Sequence, residues 1–140
     1  MNTNKILEIA LLAAAAGQGC MTILNLYLVR IMGWKKDIAR MPLLIRQVFQ
    51  VHVWFISITL LIFSALTWRF AGEIASGAAP VYRWFACGVG CFWGIRAVLQ
   101  VTYYKSSHWQ GIPARTIVHV ILLVVYSTWA AVYLTSGLKG

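Results

Sequence analysis

Four long apolar runs dominate the sequence, and each is long enough to cross a membrane as a helix. They cover residues 6–29, 43–70, 81–104 and 115–135. A helix needs about 20 apolar residues to span the hydrocarbon core of a bilayer. Backbone polar groups in lipid must also be hydrogen-bonded within helices or closed barrels. We therefore predict an all-α integral membrane protein, a single domain folded as a bundle of four transmembrane helices.

The amino-acid composition also favours a membrane protein. Hydrophobic residues make up 61% of the chain and charged residues 11%, whereas about 25% charged residues is usual for soluble domains. The 12 basic residues outnumber the 3 acidic ones. Most lie outside the apolar runs or near their ends, as is typical of residues that anchor helix ends beside anionic lipid. The pattern predicts membrane lipids as partners and argues against nucleic acid.

Prolines mark three of the helix boundaries. Pro42, Pro80 and Pro113 each stand immediately before an apolar run or the residues that lead into it. Proline costs no helical hydrogen bond at a helix start. The first run is longer than the apolar region of a signal peptide, so we expect a retained transmembrane helix. Residues 35–41 are expected to form a short surface helix, and residues 69–79 and 105–114 to be loops.

The distribution of basic residues predicts an orientation. One side of the four-span arrangement carries seven basic residues: Arg30, Lys35, Lys36, Arg40, Arg46, Lys105 and Arg115. The other side carries four: Lys5, Arg69, Arg83 and Lys139. Because cytoplasmic loops are richer in lysine and arginine, the 30–42 and 105–114 loops are predicted in the cytoplasm. Both termini are then on the non-cytoplasmic side.

The third run carries an unusual polar face. Trp93, Arg96, Gln100 and Tyr103 fall within a sector of roughly 80° on a helix. A charge placed in apolar sequence costs free energy, so neighbouring groups or a ligand should compensate it. The opposite sector contains small residues that let a neighbouring backbone come close: Cys87, Gly90, Cys91 and Gly94.

Polar residues of the other runs are expected near the same depth, in the cytoplasmic half of the membrane. Arg46 and Gln50 lie on one line of the second helix, and His119 heads an aromatic stripe on the fourth. Asn25 of the first helix has two interpretations. It either forms an interhelical hydrogen bond or lines a polar pocket with the others.

The leading functional hypothesis is a pocket for an amphiphile with an anionic or carbonyl head, such as a phospholipid, a lipid precursor or a quinone. Its predicted ligand-binding residues are Asn25, Arg46, Gln50, Trp93, Arg96, Gln100, Tyr103 and Tyr126. The two arginines would hold the head, the two glutamines would orient it, and the Trp93 and Tyr126 rings would pack on its apolar part. The residues allow binding with or without catalysis. If there is catalysis, His119 is the expected general acid or base.

Two alternatives have a different chemistry. The chain can be an accessory or assembly subunit, or a homo-oligomer, whose polar residues only join helices. It can also be a b-type haem protein, with His52 and His119 as the axial ligands across the bundle. The pocket itself requires no cofactor, and no other metal site is predicted, because Cys87 and Cys91 lack further ligands at their depth.

Overall fold

The computed structural model describes residues 2–103 and 113–139. These residues form five helices and no strand: α1 (Thr3–Ile31), α2 (Lys35–Ala39), α3 (Leu43–Ser76), α4 (Pro80–Thr102) and α5 (Pro113–Leu138). All but the short α2 are long and apolar enough to cross a membrane. The predicted all-α membrane fold with four spanning helices is therefore confirmed.

The helix starts follow the prolines. Helix α3 begins immediately after Pro42, and α4 and α5 begin at Pro80 and Pro113. The Arg46 amide donates to the Pro42 carbonyl, so Pro42 still accepts a bond of the first turn although it has no N–H to give. Most of the predicted 105–114 loop lies outside the described residues.

Helix α3 continues beyond its predicted end. Its backbone leaves the helical region at Phe70 (φ −118°, ψ 21°) and the helix then resumes to Ser76. The predicted 69–79 loop was therefore wrong in length, and only residues 77–79 connect α3 to α4. Residues 71–76 include Ala, Glu and Ile, which tolerate helix well, and three of them are buried: Ala71, Ile74 and Ala75.

Two glycines end helices in the same way. Gly33 and Gly77 have positive φ values of 69° and 65°. After α3, the Ala78 amide donates to the Glu73 carbonyl and the Gly77 amide to the Ile74 carbonyl. This is the Schellman arrangement, which satisfies the last carbonyls of a helix and favours glycine at the left-handed position.

The chain divides into two compact units. One comprises Met1–Leu11 and Phe70–Gly140 and is called here the α4–α5 unit; the other comprises Leu12–Arg69 and is called the α1–α3 unit. Both boundaries fall within long helices, and the one in α3 coincides with the irregular backbone at Phe70.

In the α1–α3 unit, polar side chains join the two long helices. The Asn25 side-chain amide donates to the Val53 carbonyl (3.1 Å) and to Ser57 Oγ (2.8 Å). Ser64 Oγ donates to the Ala15 carbonyl at 2.7 Å. A few hydrogen bonds of this kind are typical of interfaces between membrane helices, where apolar surfaces alone give little driving force.

In the α4–α5 unit, glycines allow two helix backbones to approach closely. A Cβ atom added to Gly90 would lie 2.7 Å from Leu134 Cγ, and one added to Gly137 would lie 2.6 Å from Cys87 Sγ and 2.8 Å from the Cys87 amide nitrogen. Thus the small residues of α4 serve a contact within the chain, with α5. Cys91, which the sequence grouped with them, is exposed.

We expect Gly137→Ala to lower the thermal stability of the detergent-solubilised protein. The new methyl group would overlap the α4 backbone at Cys87, and overpacking of this kind typically costs about 1–3 kcal/mol. Gly88→Ala is the matched control, because a Cβ there meets nothing within 4 Å and alanine favours helix. Equal melting temperatures for Gly137→Ala and the unchanged protein would contradict the close contact.

Candidate functional site

A chain of hydrogen bonds crosses from α4 to α5. Arg96 Nη1 donates to Gln100 Oε1 at 2.8 Å, and Gln100 Nε2 lies 2.9 Å from His119 Nδ1. Gln100 is 5% exposed, and Arg96 and His119 are half-buried. The buried amide therefore links a cationic group to a titratable one.

The direction of these bonds follows from the arginine. A guanidinium only donates, so it fixes the Gln100 oxygen on its own side and turns the amide nitrogen toward His119. The amide nitrogen also only donates, which makes His119 Nδ1 the acceptor. The neutral imidazole consequently carries its proton on Nε2.

Aromatic rings surround the arginine end of this chain. Trp93 stacks on Tyr126 with ring centroids 5.1 Å apart and an interplanar angle of 19°. Trp129 meets Trp93 edge-on at 4.6 Å. The Arg96 Cζ atom lies 5.0 Å from the centre of the Tyr126 ring, within the range of a cation–π contact. Thus the guanidinium is held by an amide and by an aromatic face.

Trp93 is the most deeply buried ring of this group, with 2% of its surface exposed. Its indole N–H is buried and has no hydrogen-bond partner within the part of the chain that the structure describes. A buried donor of this kind costs about 1–3 kcal/mol. It is an unused hydrogen-bond donor one helical turn from Arg96.

Helical spacing explains why these side chains meet. Trp93, Arg96 and Gln100 follow one another at three- and four-residue intervals and so share a face of α4. His119 and Tyr126 are seven residues apart on α5 and contact Gln100 and Trp93, respectively.

The structure thus brings together five of the side chains that the sequence singled out: Trp93, Arg96, Gln100, His119 and Tyr126. Trp129 was not among the predicted site residues, although its position three residues after Tyr126 indicates the same face of α5.

The other predicted site residues lie elsewhere. Tyr103 is exposed at the end of α4. In the α1–α3 unit, Arg46 and Gln50 are exposed on α3, and the Asn25 amide bonds to α3 as described above. These contacts of Asn25 match its interhelical interpretation, and the ligand-binding roles of all four residues stay predictions.

The hydrogen bonding of His119 does not suit the haem alternative. A histidine that ligates metal through Nε2 usually donates its Nδ1–H to an acceptor, whereas His119 Nδ1 faces a donor. His52, exposed in the α1–α3 unit, does have Nδ1 2.9 Å from an acceptor, the Val48 carbonyl, so the mismatch concerns His119 alone. Among the described residues, no three His, Cys, Asp or Glu side chains gather as a metal site.

No protein-family model, curated protein or solved structure matches this chain.

We expect Gln100→Glu to move the ring proton of His119 from Nε2 to Nδ1. The new carboxylate would pair with Arg96 and accept a bond from the imidazole, which must then donate through Nδ1. Nitrogen NMR of the labelled histidine ring distinguishes the two tautomers. In Gln100→Leu both partners lose their bond, and we expect a loss of about 1–3 kcal/mol in stability.

Two results would contradict this arrangement. One is an Nδ1-protonated His119 in the unchanged protein. The other is a His119 spectrum that Gln100→Glu leaves as it was. His119→Gln identifies the resonance, because the chain contains three histidines.

Proposed function

We propose that this membrane protein binds an amphiphile with an anionic or carbonyl head between α4 and α5, with Arg96, Gln100 and His119 at the head. Phospholipids, lipid precursors and quinones belong to this class. The observation that carries the proposal is the hydrogen-bonded chain from Arg96 through the buried Gln100 to His119. Joining two helices requires neither a guanidinium nor an imidazole at this position.

The donors of the site favour an oxygen-rich head. A guanidinium has five N–H groups, so Arg96 can bond to Gln100 and to a carboxylate, phosphate or carbonyl oxygen at the same time. His119 contributes a second donor through Nε2–H. The buried Trp93 indole N–H is a third donor that an acceptor atom would stabilise.

The aromatic rings favour an apolar tail. Trp93, Tyr126 and Trp129 form a contiguous cluster beside the guanidinium. Aromatic side chains with a polar group at one end suit the boundary between a wet head and an apolar chain.

If the protein acts on its ligand, we propose His119 as the general acid or base. Because Nδ1 of the neutral ring accepts from Gln100, the ring carries its proton on Nε2. Arg96 is a positioning residue for this proton, because it fixes the orientation of the Gln100 amide.

We also propose that this site lies in the cytoplasmic half of the bilayer, with both termini on the opposite side. The excess of lysine and arginine in and beside the 30–42 and 105–114 loops supports this orientation.

We expect Arg96→Gln to lose the bound amphiphile. The measurement is native mass spectrometry of the protein purified in mild detergent, with extraction of lipids and quinones from the same sample. Removing a charge-assisted bond to the head should reduce occupancy by about tenfold or more. Arg30→Gln is the matched control, because it removes one positive charge from an exposed position.

Three outcomes would contradict the proposal. Arg96→Gln retaining as much ligand as Arg30→Gln would exclude Arg96 from the site. A protein that carries no amphiphile in detergent and takes none up from lipid extracts would exclude the function. A Soret band that disappears in His119→Ala would make this a haem protein instead.

A second candidate function, as an accessory subunit or homo-oligomer, is favoured by the surface of α3. Of the most apolar 18-residue stretch of α3 only 11% is buried, compared with 33% of the corresponding stretch of α4. If α3 joins copies of the chain, Leu61→Trp and Ile62→Trp on its exposed side should weaken association in nanodiscs. Mass photometry would then detect smaller assemblies, whereas a monomer in the unchanged protein would contradict self-association.

A further inference from the structure

A cavity of about 360 Å³ lies between the start of α4 and the end of α5, away from Gln100. It is lined by Pro80, Arg83, Trp84, Cys87, Gly137 and Leu138. Arg83 precedes Arg96 by thirteen residues, which is about 20 Å along the helix. The cavity is therefore separate from the site at Gln100, and none of its lining residues belongs to that site.

Arg83 is the charged side chain of the lining, and its position is supported on two sides. Its Nε donates to the Gly137 carbonyl of α5 at 3.4 Å. Its Cγ and Cδ atoms lie 3.8 and 3.7 Å from the place that a Cβ on Gly77 would occupy. The half-buried stem is thus packed between the α3–α4 turn and the end of α5, which keeps the guanidinium at the cavity.

The Arg83 guanidinium borders the cavity and suits an anion. In the same unit, Lys139 donates to Asn4 Oδ1. Of the two acidic residues of this unit, Glu8 pairs with Lys5 at 3.1 Å and Glu73 is half-buried. Arginine matches phosphate geometry because its fork of N–H groups can bind two oxygens.

The depth of the cavity suits a lipid head group. Arg83 lies in the first turn of α4, which begins at Pro80, so it stands near the end of a spanning helix where lipid phosphates are found. Trp84 is 78% exposed and Leu138 is 72% exposed. Tryptophan at a helix end is typical of the membrane interface, and both side chains give an acyl chain an apolar surface next to the charge.

We propose that this cavity is a second binding site, which holds the phosphate of an anionic phospholipid through Arg83 while the acyl chains run past Trp84 and Leu138. A cavity of this size lies at the small end of the range for ligand pockets, so it accommodates a head group rather than a whole lipid. Free phosphate shares the recognition chemistry, but it would leave the two exposed apolar side chains unused. The site does not depend on the function proposed for Arg96.

The first test measures lipid retention by native mass spectrometry. The unchanged protein is equilibrated with phosphatidylglycerol or phosphatidylcholine in mild detergent. We expect tight binding of one phosphatidylglycerol, reduced about tenfold in Arg83→Gln and only partly restored in Arg83→Lys, because lysine keeps the charge without the fork. Arg30→Gln is the charge-matched control. Equal retention in Arg83→Gln and Arg30→Gln would overturn the proposal.

A second test uses the thiol of Cys87 as a reporter in the cavity. The Cys20→Ala/Cys91→Ala variant leaves Cys87 as the remaining cysteine of the chain, and the rate of its reaction with a maleimide is measured. We expect phosphatidylglycerol to slow the reaction several-fold relative to phosphatidylcholine. This measurement leaves Arg83 in place, so it holds even if Arg83→Gln fails to fold.

The same assay separates the two sources of phosphate. If millimolar inorganic phosphate protects Cys87 and phosphatidylglycerol does not, the ligand is a free anion and the lipid assignment is overturned. If neither protects Cys87, the cavity holds no phosphate. Protection by phosphatidylglycerol that survives in Arg83→Gln would overturn the role of Arg83.

Discussion

A guanidinium inside an apolar helix must be stabilised by groups that reach it within the membrane, and in this chain Gln100 and Tyr126 do so for Arg96. The side-chain amide of Gln100 also forms a hydrogen bond with His119. The residue that stabilises the charge therefore also joins α4 to α5. The glycines at positions 90 and 137 let the backbones of the same two helices approach closely at Leu134 and Cys87. Charge stabilisation and helix packing are therefore one arrangement.

The two units use their polar residues differently. In the α1–α3 unit, amide and hydroxyl groups bond to the backbone and to each other across the helices, as Asn25 and Ser64 do. These bonds use neutral groups and bring no titratable side chain into the contact. In the α4–α5 unit, the bonded chain starts at a charge and ends at an imidazole, which is the kind of arrangement that recognises a charged or polar ligand.

The arginines at the two ends of the α4–α5 pair have distinct chemistry. Arg96 lies about two turns from the end of α4 with aromatic rings around it, and its partner Gln100 also bonds to His119. Arg83 lies in the first turn, contacts a backbone carbonyl and borders a cavity. Our two proposals follow this difference: an amphiphile at Arg96, and a lipid head group at the membrane boundary at Arg83.

The sequence by itself determined the four spanning helices, because run length, charge and the three helix-starting prolines act locally. Periodicity also placed Trp93, Arg96 and Gln100 on one face. It did not determine the length of the α3–α4 turn, because helix continues past Phe70 to the left-handed Gly77. Only the tertiary structure decided which helix meets each face, that Asn25 bonds to α3, that Trp129 joins the aromatic cluster, and which nitrogen of His119 faces Gln100. Helical periodicity fixes the direction of a side chain on its own helix, but the partner it meets depends on how another helix packs against it.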